Sequence, residues 1–225
     1  MTLSTKTSTE SLRRYPGGVP TSAVSSTSLA PAGGLRSRAR RAMQAEVAEV
    51  AMELFLKQGF DGTTVDHIAA AAGMSRSSFF RYFPTKEDVV LVNVADHGQQ
   101  ILDVLAARPD DEPIWTAVRA AFEPVVADRP NEEHDRSLRL ARMFMETPSL
   151  QARHYEKTLA WQTLLVPEIA RRMGVADPAG DPRPAALIAG AVACFDTALR
   201  FWSTADGRTP LSDLFDRALS AVASD

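Results

Sequence analysis

Ser75, Arg76, Ser77 and Ser78 form a short polar run, and side chains of these types at the start of a helix can hydrogen-bond base edges and phosphates. Ser75 has the hydroxyl of an N-cap, which would place the other three in the first turn of the helix it opens. Arg76 suits a guanine edge or a phosphate, and Ser77 and Ser78 suit either surface, so residue type leaves base readout and backbone contact both open. Phe79 would turn inward and anchor the helix. Tyr82 and Lys86 look like phosphate clamps. Lys86 falls beside the start of the next helix, whose free amides and dipole already favour an anion.

A helix this short needs support from elements on either side. Pro84 must end it, because the residue before a proline is pushed out of helical conformation. Just upstream, Thr64 can cap a helix with Val65, Ile68, Ala69 and Ala72 on one face, and Gly73 supplies a left-handed residue to finish it. The small side chains over 69–72 let the second helix sit close to the first. Two short helices joined by a few residues are the plan of a helix-turn-helix, whose second helix enters the major groove. A long helix over about 35–58 precedes the pair, with Met43, Val47, Val50 and Leu54 at spacings of four, three and four, and Gly59 closes it.

The string Gly59-Phe60-Asp61-Gly62-Thr63-Thr64-Val65, with Ile68-Ala69, Ala72-Gly73-Met74-Ser75 and Phe79-Phe80-Arg81-Tyr82-Phe83-Pro84-Thr85-Lys86, resembles the tetracycline-repressor (TetR) family of bacterial regulators over roughly residues 40–91. The resemblance implies an all-α chain: a three-helix helix-turn-helix DNA-binding domain over 35–85, then a helical ligand-binding and dimerisation domain over 86–225. Its candidate DNA-contacting set here is Arg40, Thr63, Thr64, Ser75, Arg76, Ser77, Ser78, Phe80, Arg81, Tyr82 and Lys86. One position departs from the pattern. Many family members carry tyrosine where this chain has Phe80, and Phe80 lacks the hydroxyl that touches a phosphate. The string from Phe79 to Val90 resembles a branch whose C-terminal domain binds acyl-CoA-like molecules, which implies a small effector of that class.

Net charge is only −3, so bulk charge does not announce a nucleic-acid partner. Its distribution is more telling: residues 1–41 carry seven Lys and Arg against Glu10 alone, a surplus of six, which leaves −9 on the rest. Residues 1–34, rich in Ser, Thr, Gly and Pro, are expected to be a disordered basic tail. The arginines of Arg36-Ser37-Arg38-Ala39-Arg40-Arg41 form either a solvated tail or an arm on phosphate or minor groove, and the reading head that follows favours the arm. Arg13-Arg14 has no apolar stretch behind it, so an export signal is not expected. The longest apolar candidate for a membrane span, near 185–195, is broken by Asp196. A cytoplasmic protein with no membrane partner follows.

Downstream, a fourth helix is expected from Lys86 to about 106, with Val90, Val94, His97, Ile101 and Val104 on one face. It would link the head to everything after it. Further helices are expected from Pro113 to a break at Pro124, over 131–146, from 149 to about 173 with a kink at Pro167, after the 175–184 loop with its stripe reaching Trp202, and over 210–223. His97, Phe122, Met143, Met145, Trp161 and Phe195, beside Phe144, are candidate lining for a greasy ligand, or plain core. Ile188, Val192, Phe195, Leu199 and Trp202, and then Leu211, Leu214, Phe215, Leu219 and Val222, form two apolar stripes. In the resembled family the last two helices build the homodimer; the alternative is that both stripes close the chain's own core.

Catalysis has little support. No Gly-rich phosphate loop, zinc-protease motif or nucleophile elbow is present, and His67, His97, His134 and His154 are scattered without cysteine partners, so neither an enzyme nor a metal or cofactor is expected. Cys194, the single cysteine, has the surroundings of a small buried residue rather than a redox sensor. The reading that results is a homodimeric, ligand-responsive regulator, a repressor released from a near-palindromic operator by a small effector such as a long-chain acyl-CoA. The alternatives are an architectural DNA-binding protein that senses nothing, and a lipid carrier that has lost DNA binding.

Overall fold

Two hydroxyl caps and two glycines shape the N-terminal part of the computed structural model, which describes residues 33–128 and 131–223. Helices α1 (Gly33–Gln58), α2 (Val65–Ala71) and α3 (Arg76–Tyr82) form the expected trio. The tail expected over 1–34 lies outside the described residues except for Gly33 and Gly34, which open α1. Thr64 caps α2 by accepting from the His67 amide at 3.2 Å, and His67 Nδ1 accepts from the Thr64 amide at 3.4 Å, a reciprocal box with histidine in the acid's usual place. Ser75 caps α3 by accepting from the Ser78 amide at 3.0 Å. Gly59 (φ 81°) and Gly73 (φ 64°) take the left-handed conformations that end α1 and α2. The chain between the helices is therefore set by local chemistry.

Packing then fixes their angle. Ala51, Ile68 and Phe79 are wholly buried together with Phe55 and Phe83, and the Phe79 ring lies 5.3 Å from that of Phe83. The isoleucine and each phenylalanine among them contribute about 1.5–3 kcal/mol by leaving water. Phe79 is thus the anchor its position suggested.

The expected fourth helix is two. α4 (Glu87–Val90) stops at Leu91, which has φ −98° and ψ 13°, and α5 (Val92–Ala107) restarts after it. Val89 and Leu91 are both fully buried in the head's core. Residues two apart point to different sides of a straight helix, so one continuous helix could not bury both against the same surface. The break resolves that conflict.

Six helices complete the described chain: α6 (Ile114–Ala121), α7 (Glu123–Val126), α8 (Asn131–Glu146), α9 (Pro148–Arg172), α10 (Arg183–Thr204) and α11 (Leu211–Val222). Prolines punctuate them as expected: Pro113 precedes α6, Pro148 opens α9, and Pro124 sits in the first turn of α7 after the break at Phe122. α9 runs through Pro167. The two apolar stripes expected to meet a partner are largely taken by the chain's own core: Ile188, Val192, Phe195, Trp202, Leu211, Phe215 and Leu219 are all buried within one subunit. α10 and α11 leave Ala186, Ala193, Thr197, Phe201 and Val222 on their outer faces.

By length and composition α10 could cross a membrane, alone in this among the described helices. It is instead a core helix, and Asp196 in its middle meets His154 of α9 at 2.8 Å. Cys194 on the same helix is buried, and burial pushes its thiol pKa up, which keeps the reactive thiolate scarce.

Candidate nucleic-acid interface and effector cavity

The exposed face of the head is built on α3. Arg76, Ser77 and Arg81 are exposed there, Ser78 is half-buried, and Phe80 is 42% exposed although its ring meets Phe79 edge-on at 5.6 Å. Arg76 is held on both sides: it donates to Asp66 of α2 at 2.7 Å, and its guanidinium lies 5.4 Å from the Phe80 ring centroid. An exposed pair of this kind is worth about 0–1 kcal/mol, so phosphate or a base edge can take Arg76 from Asp66 at little cost. At the other end of α3, Arg40 of α1 donates to the Arg81 carbonyl at 3.0 Å and lies over the Tyr82 ring. α1 thereby sets Arg40, Arg81 and Tyr82 as one basic corner.

The head is joined to the rest through Asp88, a buried carboxylate on α4. Its Oδ2 accepts from the Thr85 hydroxyl at 2.9 Å, while Arg153 of α9 donates to Oδ1 at 3.0 Å and Lys157 stands 3.3 Å from the same oxygen. Burial works to raise the Asp88 pKa, but the hydrogen bonds from Thr85 and Arg153 and the charge of Lys157 outweigh it, and the carboxyl ends below its ordinary value. A second tie runs from Arg136 of α8 to Glu49 of α1.

Behind Leu91 lies a cavity of about 210 Å³ bounded by α4, α5, α7, α8, α9, α10 and α11. Val94, His97, Leu140, Phe144, Trp161, Phe195 and Leu199 make most of the wall apolar or aromatic, with His134, His154 and Trp202 among them. Trp161 is fixed by donating to the Val94 carbonyl at 2.8 Å across α5 and α9. Among the described residues no group of three or more His, Cys, Asp or Glu side chains is placed to hold a metal ion.

The family profile described as "Bacterial regulatory proteins, tetR family" matches residues 47–92, and the one described as "MftR C-terminal domain" matches residues 112–225. The regulator TcmR of Streptomyces glaucescens is 35% identical over 161 residues, covering 69% of this chain and 71% of that protein. The chain belongs to the TetR family. It is a DNA-binding transcriptional regulator and not an enzyme. In fold it resembles FadR of Thermus thermophilus in complex with lauroyl-CoA (TM-score 0.53, 22% identity, 80% of this chain and 92% of that one). It also resembles FadR of Bacillus subtilis in complex with stearoyl-CoA (TM-score 0.50, 18% identity, 80% and 97%).

Within this TetR-family frame the expected site residues divide. Arg40, Thr64, Ser75, Arg76, Ser77, Ser78, Phe80, Arg81 and Tyr82 lie on or beside the exposed edge of the head, although the Thr64 and Ser75 hydroxyls are engaged as caps. Two do not fit the expected role. Thr63 is wholly buried and donates to the Gly59 carbonyl at 2.8 Å. Lys86 turns inward: its ammonium donates to the Phe60 carbonyl at 2.7 Å and the Thr63 carbonyl at 3.0 Å, and stands 3.9 Å from the Phe60 ring centroid. Those carbonyls sit where the chain leaves α1, and a cation satisfies them at the position where a phosphate had been expected.

Of the six candidate ligand residues, His97, Trp161 and Phe195 line the cavity. Phe122 is buried beside Phe215, ring centroids 5.1 Å apart, in the core of the C-terminal helices, and Met143 packs on the head's core. Met145 faces a smaller pocket with Gln151, Tyr155 and Arg200. Among the cavity residues outside the candidate set are His134, His154 and Trp202. One signal was present: Asp196 in an apolar helix needs a polar partner, and a histidine such as His154 can supply one.

Proposed function

We propose that this regulator is a homodimeric repressor whose two α3 helices read a near-palindromic operator and whose cavity takes a small effector that releases it. As a DNA-binding regulator it would act in the cytoplasm. The observation that carries the reading is the Asp88 cluster: the head is held by Arg153 and Lys157 of α9, the helix that also brings His154 and Trp161 to the cavity. An effector that moves α9 therefore moves the head. Two subunits would meet over the outer faces of α10 and α11, where Ala186, Ala193 and Thr197 permit close approach and Phe201 is 60% exposed. A 100-fold fall in DNA affinity needs roughly 2.7 kcal/mol of difference in effector affinity between the two states. Long-chain acyl-CoA is one effector class to test, because two proteins of similar fold were solved with lauroyl-CoA and stearoyl-CoA.

The test is selection of bound fragments from sheared genomic DNA, then anisotropy titration of the enriched fragment with and without lauroyl-CoA. An enriched palindrome supports the regulator reading, and its release by lauroyl-CoA adds the acyl-CoA class. Enrichment with no inverted symmetry contradicts the twofold reading. No enrichment overturns the reading in favour of a lipid carrier.

A further inference from the structure

The exposed face of the head carries one arginine that two neighbours hold in place. Arg76, the first residue of α3, donates through Nη1 to Asp66 Oδ2 of α2 at 2.7 Å, and its guanidinium carbon stands 5.4 Å from the Phe80 ring centroid. The Phe80 ring is itself set edge-on at 5.6 Å against Phe79, which is wholly buried. A surface arginine on its own samples many rotamers and loses that freedom on binding. Arg76 is already restrained, by a carboxylate at one nitrogen and by a ring against its plane.

The restraint leaves one edge open. A guanidinium holds five N–H donors in a planar fork, and among the described residues Nε and Nη2 of Arg76 have no hydrogen-bond partner. Their two N–H groups form the pattern that meets O6 and N7 of guanine in the major groove, and they can do so while Nη1 keeps Asp66. The same fork also fits a phosphate. Charge separates the two targets. Arg76 and Asp66 together carry no net charge, so a phosphate drawn to the guanidinium is also repelled by the carboxylate beside it, well within a screening length. A neutral base edge meets no such repulsion.

We propose that Asp66 determines sequence specificity: with Phe80 it positions Arg76 to read one guanine, and its charge makes Arg76 a poor phosphate contact. This rests on the reading of α3 as the helix in the major groove, and it names the base and the residue that enforces the choice. Asp66 touches no base in this arrangement. It acts through Arg76, as a positioning residue on the first helix of the pair.

The test is selection from a randomised duplex pool by the purified full chain, followed by anisotropy titration of the selected duplex, its single-base variants and a shuffled duplex over a range of salt. Wild type is expected to prefer a G·C pair at one position by about tenfold or more, and Arg76→Ala to lose that preference. Asp66→Ala keeps the arginine but is expected to lower the same preference about tenfold, to bind the shuffled duplex more tightly, and to steepen the salt slope by up to about one unit. Asp66→Asn still offers an oxygen to Nη1 without the charge, so it should restore the preference for guanine and keep the steeper slope. Phe80→Leu should weaken the preference and leave the slope alone. Loss of a merely structural pair would weaken all duplexes alike and would not split preference from slope.

Circular dichroism checks folding, and if Asp66→Ala does not fold, Asp66→Asn decides through its slope. A selected motif in which Arg76→Ala relaxes no guanine overturns the proposal and leaves the regulator reading standing. So does an Asp66→Ala protein with unchanged preference, or an Asp66→Asn protein with unchanged slope. A wild type that selects no motif overturns both readings.

Discussion

Arg153 and His154 are neighbours on α9, yet Arg153 grips Asp88 of the head at 3.0 Å while His154 lines the cavity and meets Asp196 at 2.8 Å. Consecutive residues share a peptide unit, so a shift of the α9 backbone at His154 is also a shift at Arg153. On the proposed reading α9 would be the carrier of coupling, because its two sides meet the Asp88 cluster and the cavity.

Asp88→Asn tests that carrier and has a pH signature. The folded Asp88 pKa is depressed, so the stability it contributes is fully present above the unfolded value of about 3.9 and is lost as pH falls through the folded value. At pH 7 the variant should lose about 1–3 kcal/mol in urea unfolding, since Arg153 and Lys157 are left facing a neutral amide. The gap between wild type and variant should narrow below about pH 4. A gap of the same size at pH 3 would contradict the assignment.

Arg76→Ala separates base readout from phosphate contact. If Arg76 reads a guanine edge, affinity for the operator should fall by about 1–3 kcal/mol with relaxed sequence preference. Uniform weakening on all DNA, with a shallower salt dependence, would assign it to phosphate instead. Protein stability should barely move, because the Asp66–Arg76 pair is exposed.

Lys86→Met bears on the inward lysine. Two charge-assisted hydrogen bonds and a cation held over Phe60 disappear, so the head should lose about 1–3 kcal/mol. The slope of log affinity against log salt should stay unchanged. A slope shallower by about one unit would mean that Lys86 neutralises a phosphate after all.

The head was largely legible in the sequence because its determinants are local. Thr64, Ser75 and Gly73 act on amides and dihedrals within a few residues of themselves, and a linear pattern carries that information. The break at Leu91, the inward turn of Lys86 and the burial of the α10 and α11 stripes were not legible. Each depends on which distant surface competes for a side chain, and an apolar stripe does not say whether its own chain or a second subunit will cover it. Half of the expected cavity residues were placed correctly for a similar reason: periodicity identifies an inward face, but Phe122 and Phe195 share that property and only one borders the void.

Gly98→Ala probes the joint between α5 and α9 from the other side. A Cβ at Gly98 would overlap the Trp161 indole, which is held in place by its bond to the Val94 carbonyl. The indole is rigid, so the methyl must push α9 or break that bond, and overpacking of this kind costs about 1–3 kcal/mol. Trp161 lines the cavity, so its displacement should also narrow the space for an effector and shift α9 against Asp88. The expected outcome is lower thermal stability together with altered operator affinity in the absence of any effector. A variant that loses stability but keeps both operator affinity and effector response would show that α9 can move locally without moving the head, and would remove the helix as the carrier of coupling.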